Sequence, residues 1–290
     1  MLCLLRKFLM TMTIVLLLSA CSLEEIEAWL FIEETPSAPI VEGEAIVSFL
    51  DVGQGDSTLI QSEKTTILVD TGRHDSDVLF HQLDHLGIEK IDLLILTHPH
   101  ADHIGNADQV IYQFSPDEVW IDGNEAATRT FERLLDALIE TETLVVEPRA
   151  GEVYEQGDFL IEILHPDELT GHLNNDSIST RITYGDVTFL LTGDAEQRSE
   201  ERMLESGLNL KADIYKVGHH GSSTSNSRRF VEAVSPEVAI YSAEANNSYG
   251  HPHWEVVDLF EDLGIDLYGT AEHGTITIYT DGETFELYYE

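Results

Sequence analysis

The chain has 290 residues, enough for one good-sized core, and it carries no repeat or low-complexity tract of the kind that marks a solenoid or a disordered protein. Its 15 basic and 54 acidic residues leave a net charge of −39, which argues against a basic nucleic-acid groove and against adhesion to anionic lipid. A charge of that sign suits a protein kept soluble in concentrated salt or at high pH, and two cysteines, Cys3 and Cys21, exclude a disulfide framework.

Arg6 and Lys7 precede an apolar stretch over residues 8–18, and Leu18, Ser19, Ala20 and Cys21 follow as small residues and a cysteine. The apolar run is shorter than the ~20 residues a spanning helix needs. Residues 1–20 look like a bacterial lipoprotein signal, with cleavage before Cys21 and a lipid on that cysteine. Such a protein would be exported and held by Cys21 to the outer face of the cell membrane. Residues 21–44 are acidic and contain Pro36 and Pro39, as a tether would, and residues 45–290 remain for a folded domain.

From Ala45 the chain alternates apolar runs with amphipathic stretches. Residues 45–52, 57–61 and 65–69 read as strands, with Gly53, Gln54, Gly55 and Asp56 in the first turn. Residues 75–86 have helical spacing through Val78, Leu79, Leu83 and Leu86, and 91–96 is the next strand. A second helix falls at 128–139. Residues 152–164 and 177–191 read as antiparallel strands, the latter turning at Gly185 and Asp186. Helices at 196–206, 227–234 and 255–263 then alternate with strands at 212–217 and 237–241, and strands at 275–280 and 284–289 close the chain. Runs of strands with helices between them predict an α/β architecture of two sheets face to face with helices outside, a four-layered αβ/βα sandwich.

Directly after the 91–96 strand comes Thr97-His98-Pro99-His100-Ala101-Asp102-His103. Three imidazoles and a carboxylate in six positions are the donors that zinc-like ions select. Continued as a strand, the run would point His98 and His100 one way, with Asp102 and His103 turning toward a second position, which suggests two adjacent metals. Other chemistry-bearing residues follow strands elsewhere: Asp70, Asp194, the pair His219-His220, and His251 with His253.

The His98, His100, Asp102, His103 spacing matches the H-x-H-x-D-H motif of the metallo-β-lactamase superfamily. Asp51-Val52-Gly53-Gln54-Gly55-Asp56-Ser57, Leu191-Thr192-Gly193-Asp194, Val217-Gly218-His219-His220-Gly221 and Tyr249-Gly250-His251-Pro252-His253 narrow it. Together they resemble the hydrolase domain of ComEC-type competence DNA-uptake proteins and their stand-alone relatives. The resemblance implies two divalent ions, zinc or manganese: His98 and His100 on the first, Asp102 and His103 on the second, Asp194 between them, and His220 in preference to His219 completing the second. The pattern's third histidine on the first ion is missing, for the segment reads His172-Leu173-Asn174-Asn175-Asp176-Ser177. Asn175, Asp176, water, His172 or His165 are the substitutes it leaves open.

Two ions held about 3.5–4 Å apart activate water and stabilise charge on a phosphoryl oxygen. The implied function is phosphodiester hydrolysis, with Asp102 at the reacting centre, His219 or His251 as proton donor, and the 221–225 segment as a phosphate seat. DNA outside the cell is the expected substrate. A teichoic-acid or phosphorylcholine phosphodiesterase is the alternative, and a non-catalytic lipoprotein binding module is the reading from another class. Asp70 is expected behind a ligand histidine. Asp51 and Asp56 read equally as turn or cap residues, His251 equally as a turn residue, and His81 and His85 as a solvated helix face.

Overall fold

A computed structural model describes residues 40–289. The expected signal at 1–20, Cys21 and the tether up to residue 39 lie outside the described residues. In the first half, β1 (Ala45–Phe49), β2 (Thr58–Ser62) and β3 (Thr66–Val69) form an antiparallel meander. Helix α1 (Val78–His85) then carries the chain to β4 (Leu93–Leu96), which lies parallel to β3. Helix α2 (Ala107–Phe114), β5 (Glu118–Ile121), helix α3 (Arg129–Thr141) and β6 (Leu144–Val146) extend this parallel part.

The second half follows the same plan. Strands β7 (Val153–Gln156), β8 (Phe159–His165), β9 (Ser179–Tyr184) and β10 (Val187–Leu191) pair antiparallel. Helix α4 (Gln197–Ser206), β11 (Ile214–Lys216), α5 (Arg228–Val234), β12 (Val238–Tyr241), α6 (Trp254–Leu263) and β13 (Asp266–Gly269) add parallel strands. A single turn, α7 (Thr270–His273), leads to β14 (Ile276–Thr280) and β15 (Phe285–Tyr289), which return to the first sheet beside β1. The sheets run β15-β14-β1-β2-β3-β4-β5-β6 and β13-β12-β11-β10-β9-β8-β7.

Alternation of side chains explains the layering. Ile67, Val69, Leu93, Ile95 and Trp120 face the second sheet and meet Ile182, Phe189, Leu191, Ile214 and Ile240 in the central core. Their chain neighbours Leu68, Leu94, Leu96 and Val119 point outward under Leu79, Leu83, Val110, Ile111 and Leu134 of the first helix layer. On the other side Leu190, Tyr215 and Ala239 lie under Met203, Phe230, Val234 and Phe260. A strand covered on both faces is apolar at nearly every position, which is why β4 reads as an unbroken apolar run and β10 as one broken only by Thr188. The expected four-layered sandwich is the observed one. Helix starts follow local chemistry, for Thr128 Oγ1 and Ser227 Oγ accept from the backbone N–H three residues on, at 3.2 and 3.4 Å.

Five elements fall where the sequence pattern assigns none: α2, β5, β6, β13 and α7. Each strand among them has three or four residues, too few for an alternation to register. Parallel strands joined through helices leave the loops after β3, β4, β10 and β11 free to meet, and those loops carry the site.

Candidate metal centre

Strand β4 ends at Leu96, so the histidine run is a coil rather than a continued strand. His100 N donates to His98 O at 3.0 Å, and His103 N and Ile104 N both donate to His100 O. The coil still separates the run into two sides. His98 Nε2 and His100 Nδ1 are 3.0 Å apart, whereas His103 faces His220, with their Nε2 atoms 3.3 Å apart.

Asp194, following β10, stands between the two sides and divides its oxygens. Oδ1 is 3.3 Å from His103 Nε2 and 3.8 Å from His220 Nε2. Oδ2 is 3.6 Å from His98 Nε2 and 3.5 Å from His219 Nε2. Asp102 Oδ2 lies 3.5 Å from His220 Nε2. Two donor groups result, one of Asp56, His103, Asp194 and His220, the other of His98, His100 and Asp194. Gly193 makes the approach possible: its φ is +52°, and a Cβ there would stand 2.9 Å from Thr97 Cβ.

These residues fit divalent ions. A tetrahedral site with bonds of about 2.0–2.1 Å has donor-to-donor edges of about 3.3–3.4 Å, close to the spacings around Asp194. Asp194 Oδ1 is buried and makes no hydrogen bond, an arrangement that costs free energy unless a cation takes the lone pair.

A second ring of contacts orients the donors. Asp70 Oδ2 is 2.7 Å from His103 Nδ1, and its two oxygens accept from Thr97 N and Oγ1 at 2.8 and 2.7 Å. His220 Nδ1 donates to Ser242 O at 3.0 Å, which leaves Nε2 for the centre. Gly55 lets the 51–57 turn lie against the histidine coil: a Cβ there would be 2.6 Å from Asp102 O, the atom that accepts from Asp56 N at 3.1 Å.

The electrostatics of the two sides differ. Burial opposes charge on His103, but Asp194 and Asp70 outweigh it and hold its pKa well above the usual imidazole value. Burial likewise opposes charge on Asp194, and His103, His220 and His98 hold it well below the usual carboxylate value. His98 and His100 are pushed down, by burial first and by His103 next.

Several expectations change. Asp56 is not a cap: it is buried beside the centre, with Lys216 Nζ 2.6 Å from Oδ1 and 2.9 Å from Oδ2. Lys216 was missed, although one lysine in the buried run Ile214–Lys216 is a signal, since a buried cation needs a partner. Asp51 does cap a turn, accepting from Gly53 N. The 221–225 segment is no phosphate seat. Ser222 N donates to His219 O, Ser223 N to His253 Nδ1, Thr224 N to Ser222 Oγ and Ser225 N to Ser222 O, while Glu200 takes Asn226 N and Ser227 N.

His165, His172 and Asp176 enter neither donor group, and Asn175 is engaged elsewhere. Asp176 is spent on Thr170, Gly171 and Asn124, Asn175 bonds Glu196 and Ser199, His165 Nε2 lies 2.6 Å from Asn175 O, and His172 is exposed. His251 sits 5.7 and 6.1 Å from His219 and His220, ring to ring, and burial together with those neighbours lowers its pKa to about 4. It is uncharged at neutral pH, which does not suit a proton donor.

Fold and site together define a metal-dependent hydrolase of α/β-sandwich type. The profile of the Metallo-beta-lactamase superfamily matches residues 50–245, and the chain belongs to that superfamily. Among curated proteins it is 32% identical over 258 residues to ComE operon protein 3 of Bacillus subtilis, covering 82% of this chain and 33% of that one. It is 30% identical over 257 residues to Competence protein ComA of Neisseria gonorrhoeae, covering 85% and 34%. The chain thus spans about a third of the length of these relatives. Among solved structures, the metallo-β-lactamase fold protein YhfI of Bacillus subtilis aligns with a TM-score of 0.55 at 20% identity, over 81% of this chain and 99% of that one. CmlA, a diiron β-hydroxylase from Streptomyces venezuelae, aligns with a TM-score of 0.58 at 19% identity, over 83% and 55%.

Proposed function

We propose that this hydrolase cleaves phosphodiesters with two divalent ions, zinc or manganese, and that its substrate is DNA outside the cell. The observation that carries the reading is the division of Asp194, whose two oxygens each face a separate pair of imidazoles at 3.3–3.8 Å. Bound there, the ions would supply an activated water and stabilise the charge developing on a phosphoryl oxygen. The chain's own residues hold and space the ions: His98 and His100 on one side, His103, His220 and Asp102 on the other. Resemblance to competence proteins supports nucleic acid as substrate. The net charge of −39 favours a second reading, a choline-bearing or teichoic-acid phosphodiester, which the field repels less.

The test is hydrolysis by the metal-loaded protein of single- and double-stranded DNA, RNA, a choline phosphodiester and a β-lactam. The proposal expects DNA cleavage that Asp194→Ala abolishes. Turnover of the choline ester alone, with every metal tried, would transfer the assignment to the cell wall. We also propose export and lipid attachment at Cys21; a mature chain whose mass at residue 21 lacks a lipid would refute it.

A further inference from the structure

We propose that His219 is the third protein ligand of the first ion, replacing the histidine absent from the 172–177 segment. The inference rests on the two-metal reading above and departs from the proton-donor role expected for this residue.

Four observations support it. The first side has three donors, His98, His100 and Asp194, and the second has four. His219 Nε2 lies 3.5 Å from Asp194 Oδ2, the oxygen that His98 Nε2 meets at 3.6 Å, while its neighbour His220 meets Oδ1 instead. The doubled histidine therefore sends one imidazole to each oxygen of the shared carboxylate. His219 Nδ1 is 3.1 Å from Thr224 Oγ1, an outer contact of the kind that orients ligand histidines and leaves Nε2 facing inward.

The fourth observation is backbone strain. His219 and His220 both have positive φ, 51° and 55°, a conformation rare for single non-glycine residues and rarer in succession. It is held by His219 N donating to Gly193 O at 3.0 Å, next to Asp194, and by Ser222 N donating to His219 O. An extended pair would point its side chains to opposite faces. This turn instead sets the two rings 6.2 Å apart at 66°, both toward the centre. His219 lies outside the compact His98, His100 and Asp194 group and keeps 19% of its side-chain surface exposed, so to ligate an ion there it would have to close on His98 and His100 from the solvent side.

Zinc titration by calorimetry on the full chain, stripped of metal, tests this. Wild type should bind two ions. His219→Ala and His219→Asn, the latter better suited to positive φ, should keep one ion at unchanged affinity and bind the other at least tenfold more weakly. Thr224→Ala should weaken the same ion by less. Thermal unfolding of the metal-free variants confirms that they fold. Two ions bound with unchanged affinity in both variants, with only hydrolysis lost, would overturn the inference and restore the proton donor; equal weakening of both ions would overturn it too. A wild-type protein that binds one ion or none defeats the two-metal reading itself.

Discussion

The two sides of the centre are built to different standards. The second has four buried donors, and its histidines are fixed from behind by the Asp70 carboxylate and the Ser242 carbonyl. Its extra carboxylate, Asp56, is matched by a buried lysine, and the charge on Lys216 overcomes burial to hold the Asp56 pKa low. The first side has His98 and His100 with half of Asp194, and His100 and His219 are partly open to solvent. Its nearest outer support for His98 is Thr97 Oγ1 at 3.1 Å, a hydroxyl already given to Asp70. Ligand number and outer support both raise affinity, so an ion on the second side would be held more tightly than one on the first. Substitutions that treat the two sides unequally are the way to break or sharpen this contrast.

The largest effect belongs to the residue the sides share. Asp194→Ala removes a donor from both, and loss of several kcal/mol of charge stabilisation corresponds to a rate fall of roughly 10³-fold or more. Metal analysis of the same variant should show both ions weakened; loss of one alone would mean that Asp194 does not bridge. Next comes Lys216→Met, which leaves Asp56 buried without its counter-ion. The metal-free protein should lose about 3–5 kcal/mol by denaturant unfolding. Adding Asp56→Asn should recover most of that loss, and added zinc should recover part of it in the single variant. No recovery in the double variant would locate the role of Lys216 elsewhere.

Asp70→Asn acts chiefly on the second side, through His103, and reaches the first only through the Thr97 hydroxyl. An amide cannot hold His103 Nδ1 and the Thr97 hydroxyl as the carboxylate does, and the expected cost is about 10–100-fold in affinity for one ion. Asparagine tolerates the φ of 61° at this position, so backbone strain does not confuse the result. The other ion should titrate nearly as in wild type. Both ions weakening together would erase the distinction between the sides.

Much of this was legible in the sequence for a physical reason. His98, His100, Asp102 and His103 are close together in the chain, and Asp194 and His219-His220 each follow a buried strand, so motif and context reinforce each other. The four layers followed from the same apolar runs. What stayed hidden depends on contacts between distant segments. Asp56 and Lys216 are 160 positions apart, and neither announces its partner. The coil after β4 brings His98 and His100 together as a continued strand would, because spacing alone cannot tell two side chains aligned by a pleat from two aligned by a turn. The serine-rich 221–225 segment has the composition of an anion seat, but His219 O, His253 Nδ1 and the oxygens of Ser222 take the amides of Ser222 to Ser225.

The smallest effect tests the surroundings of the first side, where the missing histidine would have come from. Asp122 follows β5, beside β4. Asn124 Nδ2 bridges it to Asp176 at 2.7 and 3.1 Å, and among the described residues no lysine or arginine makes an ion pair with either carboxylate. Burial, helped by Asp176, raises the Asp122 pKa to about 7. In the unfolded chain it returns to about 3.9. Between those values the folded protein holds a proton that the unfolded chain has released, so this group makes stability fall as pH rises from about 4 to about 7, by at most ~1.4 kcal/mol per unit. Asp122→Asn keeps the neutral form at every pH. Its stability relative to wild type should therefore grow between pH 5 and pH 8, as read by urea unfolding of the metal-free proteins. Asp56, with its lowered pKa, works in the opposite direction: its contribution is present above about pH 4 and fades as the pH falls below that. Parallel wild-type and Asp122→Asn curves would mean that Asp122 is ionised throughout, and that the first side is as well neutralised as the second.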